Sequence, residues 1–156
     1  MNDTLKYFLR FLLFLAVQLV LVQFRSGKPD KSNYRRFKIR DVQGGDDFAS
    51  IAEVVRRRYS RLKEENKELP DLIVIDGGAG QLSSALKELR EMRVKVPIIS
   101  LAKREEEIYV PGLEGPLDIK KNEKASLYLQ EIRDEAHRFA IADLLQIERC
   151  FFILLY

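Results

Sequence analysis

Cysteine and histidine are almost missing: Cys150 and His137 are the single examples of each in 156 residues. One thiol excludes an intramolecular disulfide and any zinc site built on two cysteines, and one imidazole excludes a two-histidine metalloprotease helix. Reducing, cytoplasmic surroundings are the resulting expectation. Tryptophan is absent, and five prolines and eight glycines are too few for a fibrous or low-complexity chain. A strong charge of one sign is lacking too. With 27 Lys and Arg against 24 Asp and Glu, the formal charge is +3, so the sum alone does not establish a polyanionic partner and the distribution must be read instead. What is present, 46% apolar and 33% charged residues, fits one globular core.

Long apolar runs occur only at the ends. Phe11 to Phe24 is interrupted by Gln18 and Gln23 alone and flanked by Lys6, Arg10 and Arg25. It is short for a membrane helix, which needs about 20 apolar residues, and no small-residue cleavage site follows for a signal peptide. A core element, helix or paired strands, is the expectation, with a membrane anchor as the other reading. Cys150 to Tyr156 is also apolar and must pack against the N-terminal run or stay exposed as an adhesive patch. The chain thus divides into a divergent apolar segment (1–25), a central domain (26–145) and an apolar tail (146–156).

The centre alternates strand and helix signals. Tyr34 to Ile39 alternates apolar with basic residues, as a half-buried strand does. Gly44-Gly45-Asp46-Asp47 offers a turn and a capping carboxylate, after which Ile51, Ala52, Val55, Tyr59 and Leu62 recur at helical spacing. Leu72 to Ile75 is wholly apolar and β-rich, as in a strand covered on both faces. It runs into Asp76 and Gly77-Gly78-Ala79-Gly80. A helix over Gln81 to Met92, a strand over Val96 to Ala102, a hairpin of Glu107 to Val110 with Leu117 to Ile119, and a helix from Ala125 to about Leu145 follow. The sum is a mixed α/β sheet flanked by helices.

Three groupings carry chemistry. Asp76 stands where a buried strand leaves the sheet, the place where α/β folds hold ligands, and the glycines after it let a metal or phosphate approach. An aspartate that merely caps the turn is the plainer reading. The glycine cluster lacks the spacing of a phosphate-binding loop or a dinucleotide fingerprint. Ile132 to Phe139 packs Asp134, Glu135, Arg133, Arg138 and His137 into two helical turns. This is either a solvated charged face or the setting of a general base that activates water. Basic residues cluster without acids in Lys31 to Arg40, where Arg35, Arg36 and Lys38 interleave with aromatics, and again at Arg56, Arg57, Arg58 and Arg61. Such groups position nucleic-acid phosphates without reading sequence; a basic strand face that only solubilises an edge is the alternative.

Tyr34-Arg35-Arg36-Phe37-Lys38-Ile39, Gly45-Asp46-Asp47-Phe48-Ala49, Val55 to Tyr59, Pro70 to Leu82 with its Ile-Asp-Gly-Gly core, Leu101-Ala102-Lys103-Arg104, Glu107-Ile108-Tyr109 and Ile132 to Ile141 occur in order. Together they resemble the C-terminal endonuclease domain of the UvrC family, the nuclease of bacterial excision repair. The resemblance implies an RNase H-like fold and hydrolysis of a DNA phosphodiester 5′ to a lesion, with Mg²⁺ or Mn²⁺ held by carboxylates. It assigns Asp76 as a catalytic metal ligand, His137 as catalytic histidine and Asp47 as an additional functional carboxylate. Arg35, Arg36, Lys38, Arg56, Arg57, Arg58 and Lys103 are the DNA-binding candidates. Implied partners are damaged double-stranded DNA and, for the intact family protein, a UvrB–DNA complex.

The family also has a first aspartate on its first strand, in a block reading roughly Cys-Phe-Asp-Ile-Ser upstream of the Gly-Lys-Pro turn. No acidic residue lies between Leu5 and Arg25 here. The helix-hairpin-helix module, the N-terminal nuclease domain and the UvrB-binding segment are likewise without counterparts, as shifted reading frames at the two edges of a gene would give. The expectations are therefore an incomplete endonuclease centre, with a non-catalytic DNA-binding fragment and a membrane-anchored fragment as alternatives. Asp76 and His137 should face one cleft bordered by Asp47, with no carboxylate opposite Asp76.

Overall fold

The computed structural model describes residues 18–40, 46–102, 107–120, 123–141 and 150–155. Among them a seven-stranded mixed sheet carries three α-helices. The strands are β1 (Gln18–Arg25), β2 (Lys28–Pro29), β3 (Arg35–Lys38), β4 (Leu72–Asp76), β5 (Ile98–Leu101), β6 (Ile108–Tyr109) and β7 (Cys150–Leu155). The helices are α1 (Asp47–Glu64), α2 (Ala79–Glu91) and α3 (Lys124–Ile141). Spatial order is β2-β1-β7-β4-β5-β6, and β3 pairs with the same edge of β1 as β2 does.

The apolar ends meet inside this sheet. Gln18–Arg25 forms a strand, and Cys150–Leu155 lies parallel to it, with Leu21 opposite Phe152 and Phe24 opposite Leu155. The other edge of β7 pairs antiparallel with β4, Ile75 opposite Phe152 and Leu72 opposite Leu155. The tail therefore bridges the two halves of the sheet, and its Leu155 packs against the core. Residues 11–17 of the N-terminal run lie outside the described residues.

Alternation along β1 and β4 divides the core between two faces. Leu21, Ile73 and Ile75 pack with Ile51, Val55, Tyr59 and Leu62 of α1 and with Leu82, Ala85 and Leu89 of α2. Val20, Val22, Phe24 and Val74 pack instead with Leu129, Ile132, Ala136 and Ala140 of α3. Each helical set recurs at three- and four-residue intervals, so one stripe is dry and the rest is solvated. At the head of α1 the Asp46 carboxylate accepts from the N–H groups of Phe48 and Ala49, both at 3.0 Å, and Asp47 adds a negative charge to the first turn. At the head of α2, Gln81 Oε1 accepts from Gly78 N–H at 3.0 Å.

The expected hairpin after β6 reduces to one ladder-like bond, from Leu117 N–H to the Ile108 carbonyl at 2.7 Å. Leu117 to Ile119 is not a strand. Pro116 lacks the N–H that would extend the pairing.

Candidate active site and nucleic-acid surface

Asp76 ends β4 and is 2% exposed. Alternation after Val74 turns it toward the α3 face. Its backbone pairs with Leu101, and the chain leaves the sheet at Gly77, whose N–H donates to the Leu101 carbonyl at 3.0 Å.

Helix α3 crosses that face in a direction fixed by its contacts. Tyr128, near its start, meets Phe24 edge-on at 6.5 Å, at the Leu72 end of the sheet. Its far half reaches β3: the Tyr34 hydroxyl donates to Glu135 Oε1 at 3.0 Å, and Arg36 donates to the Phe139 carbonyl at 2.8 Å. The Arg36 guanidinium also stacks 4.4 Å from the Phe139 ring centroid. Arg36 pairs with Val20, Val20 with Phe151, and Asp76 stands one step beyond the Ile75–Phe152 pair, in the row of Phe151. The end of α3 that bears His137 thus lies at the Asp76 end of the sheet and on the Asp76 face. His137 follows buried Ala136 and is itself exposed.

Asp47 reaches the same end from the other face. It shares a recess of about 270 Å³ with Asp46, Phe48 and Gln81, and its Oδ1 is buried without a hydrogen-bond partner. The Ser84 hydroxyl ties the two helix heads by donating to the Phe48 carbonyl at 2.7 Å. A Cβ on Gly80 would sit 2.8 Å from the Phe48 ring, and one on Gly77 would sit 2.9 Å from the Gln81 side chain. These two glycines therefore make room for neighbouring protein side chains.

The basic candidates separate. Arg57 donates to Glu53 Oε1 at 2.9 Å and to the Lys38 carbonyl at 2.8 Å, and lies 5.5 Å from the Phe37 ring centroid. Arg36 is engaged with Phe139 as described. Lys38 and Arg56 are exposed. Arg35 and Arg58 line a pocket at the other end of the sheet, together with Arg61 of the same arginine-rich stretch and with Arg25, which the sequence marks only as a flanking charge. Gln23, a polar break in an apolar run, was the available signal. Lys103 lies outside the described residues.

Two titrating groups meet where Tyr34 bonds to Glu135 of α3. Arg138, 2.6 Å from Glu135, is the main cause that holds the Glu135 carboxyl below its usual range. Burial, then the bond to Glu135, pushes the Tyr34 phenol well above its usual value.

A family model described as the UvrC RNase H endonuclease domain matches residues 16–141. This chain belongs to the UvrC RNase H endonuclease domain family. It is 78% identical over 121 residues to UvrABC system protein C of Methanosarcina mazei, covering 78% of this chain and 23% of that protein. Over 122 residues it is 53% identical to UvrABC system protein C of Flavobacterium johnsoniae, covering 77% of this chain and 20% of that protein. The chain therefore spans about a quarter of the length of these UvrC relatives or less. The UvrC match bears out the RNase H-like α/β fold and takes in β1.

RNase H-like endonuclease domains generally use divalent metals. A hard cation needs several oxygen ligands and favours more than one carboxylate. Among the described residues, no three His, Cys, Asp or Glu side chains are gathered so as to hold a metal. β7, the neighbour of β4, reads Cys-Phe-Phe-Ile-Leu-Leu and carries no oxygen donor on its side chains. The described donor set does not fit a divalent-cation centre. Among the same residues no helix is long and apolar enough to cross a membrane.

Proposed function

We propose that this chain is a UvrC-type endonuclease domain of nucleotide excision repair whose hydrolytic centre is incomplete, so that DNA binding is the activity it retains. One observation carries the reading: neither strand that flanks β4, β5 on one edge or β7 on the other, has an acidic residue. In the intact centre, hydrolysis 5′ to a lesion uses Mg²⁺ or Mn²⁺, and Asp76 is the ligand this chain keeps. His137 and Asp47 are the other catalytic residues it keeps, and both stand at the Asp76 end of the sheet. Damaged double-stranded DNA is the partner, with a UvrB-bound duplex as its setting, and exposed Lys38 and Arg56 serve as backbone contacts beside Arg35 and Arg58.

Nicking of supercoiled plasmid with Mg²⁺ or Mn²⁺ tests the first half. The expected result is no nicking above the protein-free control; nicking that Asp76→Ala abolishes would establish a complete centre and reject incompleteness. Affinity for a lesion-bearing duplex tests the second half. With roughly four phosphate contacts, raising salt from about 50 to 200 mM lowers affinity about 150-fold. Equal affinity at both salts defeats the DNA-binding reading.

A further inference from the structure

A pocket of about 360 Å³ opens between the far end of β1 and the last turns of α1. Arg25, Arg35, Arg58, Arg61 and Lys67 line it, against two acids, Glu65 and Glu68. Arg58, Arg61 and Glu65 follow one another at helical spacing, so one face of α1 supplies one wall. Glu65 lies 2.7 Å from both Arg61 and Lys67, and Arg25 lies 3.8 Å from Glu68. These two acids are thereby engaged. Arg58 Nε is buried and has no hydrogen-bond partner, while Arg35 donates to the backbone carbonyls of Ser32 and Tyr34. An enclosed guanidinium edge without an acceptor is costly unless a ligand supplies one.

Gln23 makes the complementary demand from the floor. It is 3% exposed, and its Nε2 donates to Asp30 Oδ2 at 3.1 Å. Its Oε1 is buried with no donor. The pocket therefore asks for acceptor oxygens at Arg58 and for an N–H or O–H group at Gln23. Water answers the second demand but brings no charge to the first. Inorganic phosphate answers chiefly the first. A nucleotide offers both, through its phosphate and through a base amino group or sugar hydroxyl.

We propose that this pocket binds a nucleotide phosphate, carried either by a free mononucleotide or by a DNA strand. The site is separate from the Asp76 end. Gln23 lies on the α1 face, opposite the α3 face that holds Asp76, and Arg25 lies roughly 16 Å along the ladder from the Asp76 row. The proposal does not depend on whether the Asp76 centre hydrolyses anything.

The test is calorimetric titration of the full chain with dAMP, with inorganic phosphate and with a short duplex, at low salt. Arg58→Gln and Arg61→Gln are the pocket variants. Lys87→Gln, on the exposed face of α2, controls for the loss of one positive charge. Circular dichroism verifies that each variant folds. The expected result is that dAMP or the duplex binds and that both pocket variants weaken it at least tenfold, while Lys87→Gln stays within twofold. Binding of dAMP identifies a free nucleotide as a source; binding of the duplex alone assigns the pocket to DNA. Inorganic phosphate should bind more weakly than whichever ligand is taken. No binding of dAMP or duplex by the wild type overturns the proposal, as does wild-type affinity in both pocket variants.

Discussion

The two ends of the sheet are electrostatic opposites. Where β4 exits, Asp76 is buried beside an apolar strand, Asp47 lies close by on the other face, and the described residues gather no metal-holding cluster. Where β1 exits, five cations and a buried amide oxygen surround an open pocket held by two acids. The end that the family motifs mark gathers no metal-holding set among the described residues. The end that no motif marks has surplus positive charge and unmet hydrogen-bonding groups. The proposed phosphate pocket and the Asp76 end are built on different strands, so either can be kept without the other.

The largest effect that would sharpen this contrast is on the helix over Asp76. Ile132 is fully buried in the cluster that seats α3. Ile132→Ala should cost about 2–5 kcal/mol in urea unfolding. A cost under 1 kcal/mol would mean that α3 is not firmly seated and that the Asp76 face is open.

Next comes the brace between α1 and β3. The Glu53 carboxylate is 1% exposed; it accepts from Arg57 at 2.9 Å and from Arg40 N–H at 3.1 Å. Glu53→Gln keeps the shape but removes the charge. Because Arg57 retains partial access to water, about 1–3 kcal/mol is expected in the same assay. No loss would show that Arg57 is available for DNA.

A direct comparison of the ends follows. In duplex binding, Arg58→Gln should weaken affinity at least tenfold, whereas Asp76→Asn should change it less than twofold. Equal losses at both ends would erase the distinction drawn between them.

The smallest effect is a pH dependence. Lys67 and then Arg61 hold the Glu65 carboxyl at about 2 in the folded chain, below its usual 4.5. A depressed folded value means that this stabilisation is complete above about pH 4.5 and is lost as pH falls toward 2. Thermal scans should show Glu65→Gln removing a small part of the acid sensitivity, no more than a few degrees for so exposed a pair. An unchanged acid profile would indicate that Glu65 does not hold the pocket cations.

Much of this was legible in the residue order. The run Leu72-Ile-Val-Ile-Asp76 is a strand covered on both faces, and helical spacing located the dry stripes of α1, α2 and α3. Asp76 was recognisable as a strand-exit carboxylate, and His137 falls at the same end of the sheet. The glycines after Asp76 were read as leaving space for a ligand, yet Gly77 and Gly80 are shaped by Gln81 and Phe48. Nor could spacing show that Arg36 and Arg57 meet protein carbonyls and rings while Arg35 and Arg58 line a pocket. A guanidinium has five donors and takes whichever acceptors the fold brings near.

The sequence by itself determined that the ends are apolar, that the centre alternates strand and helix, and that the UvrC-type motifs stand in order, because periodicity and local chemistry are written residue by residue. Only the tertiary structure decided that the C-terminal run lies between β1 and β4, parallel to one and antiparallel to the other. Apolar side chains demand burial without naming a neighbour, and backbone hydrogen bonds pair any two strands whose geometry permits. Partner, direction and register, and with them the placing of acid-free strands on both edges of β4, are therefore settled by the assembled sheet.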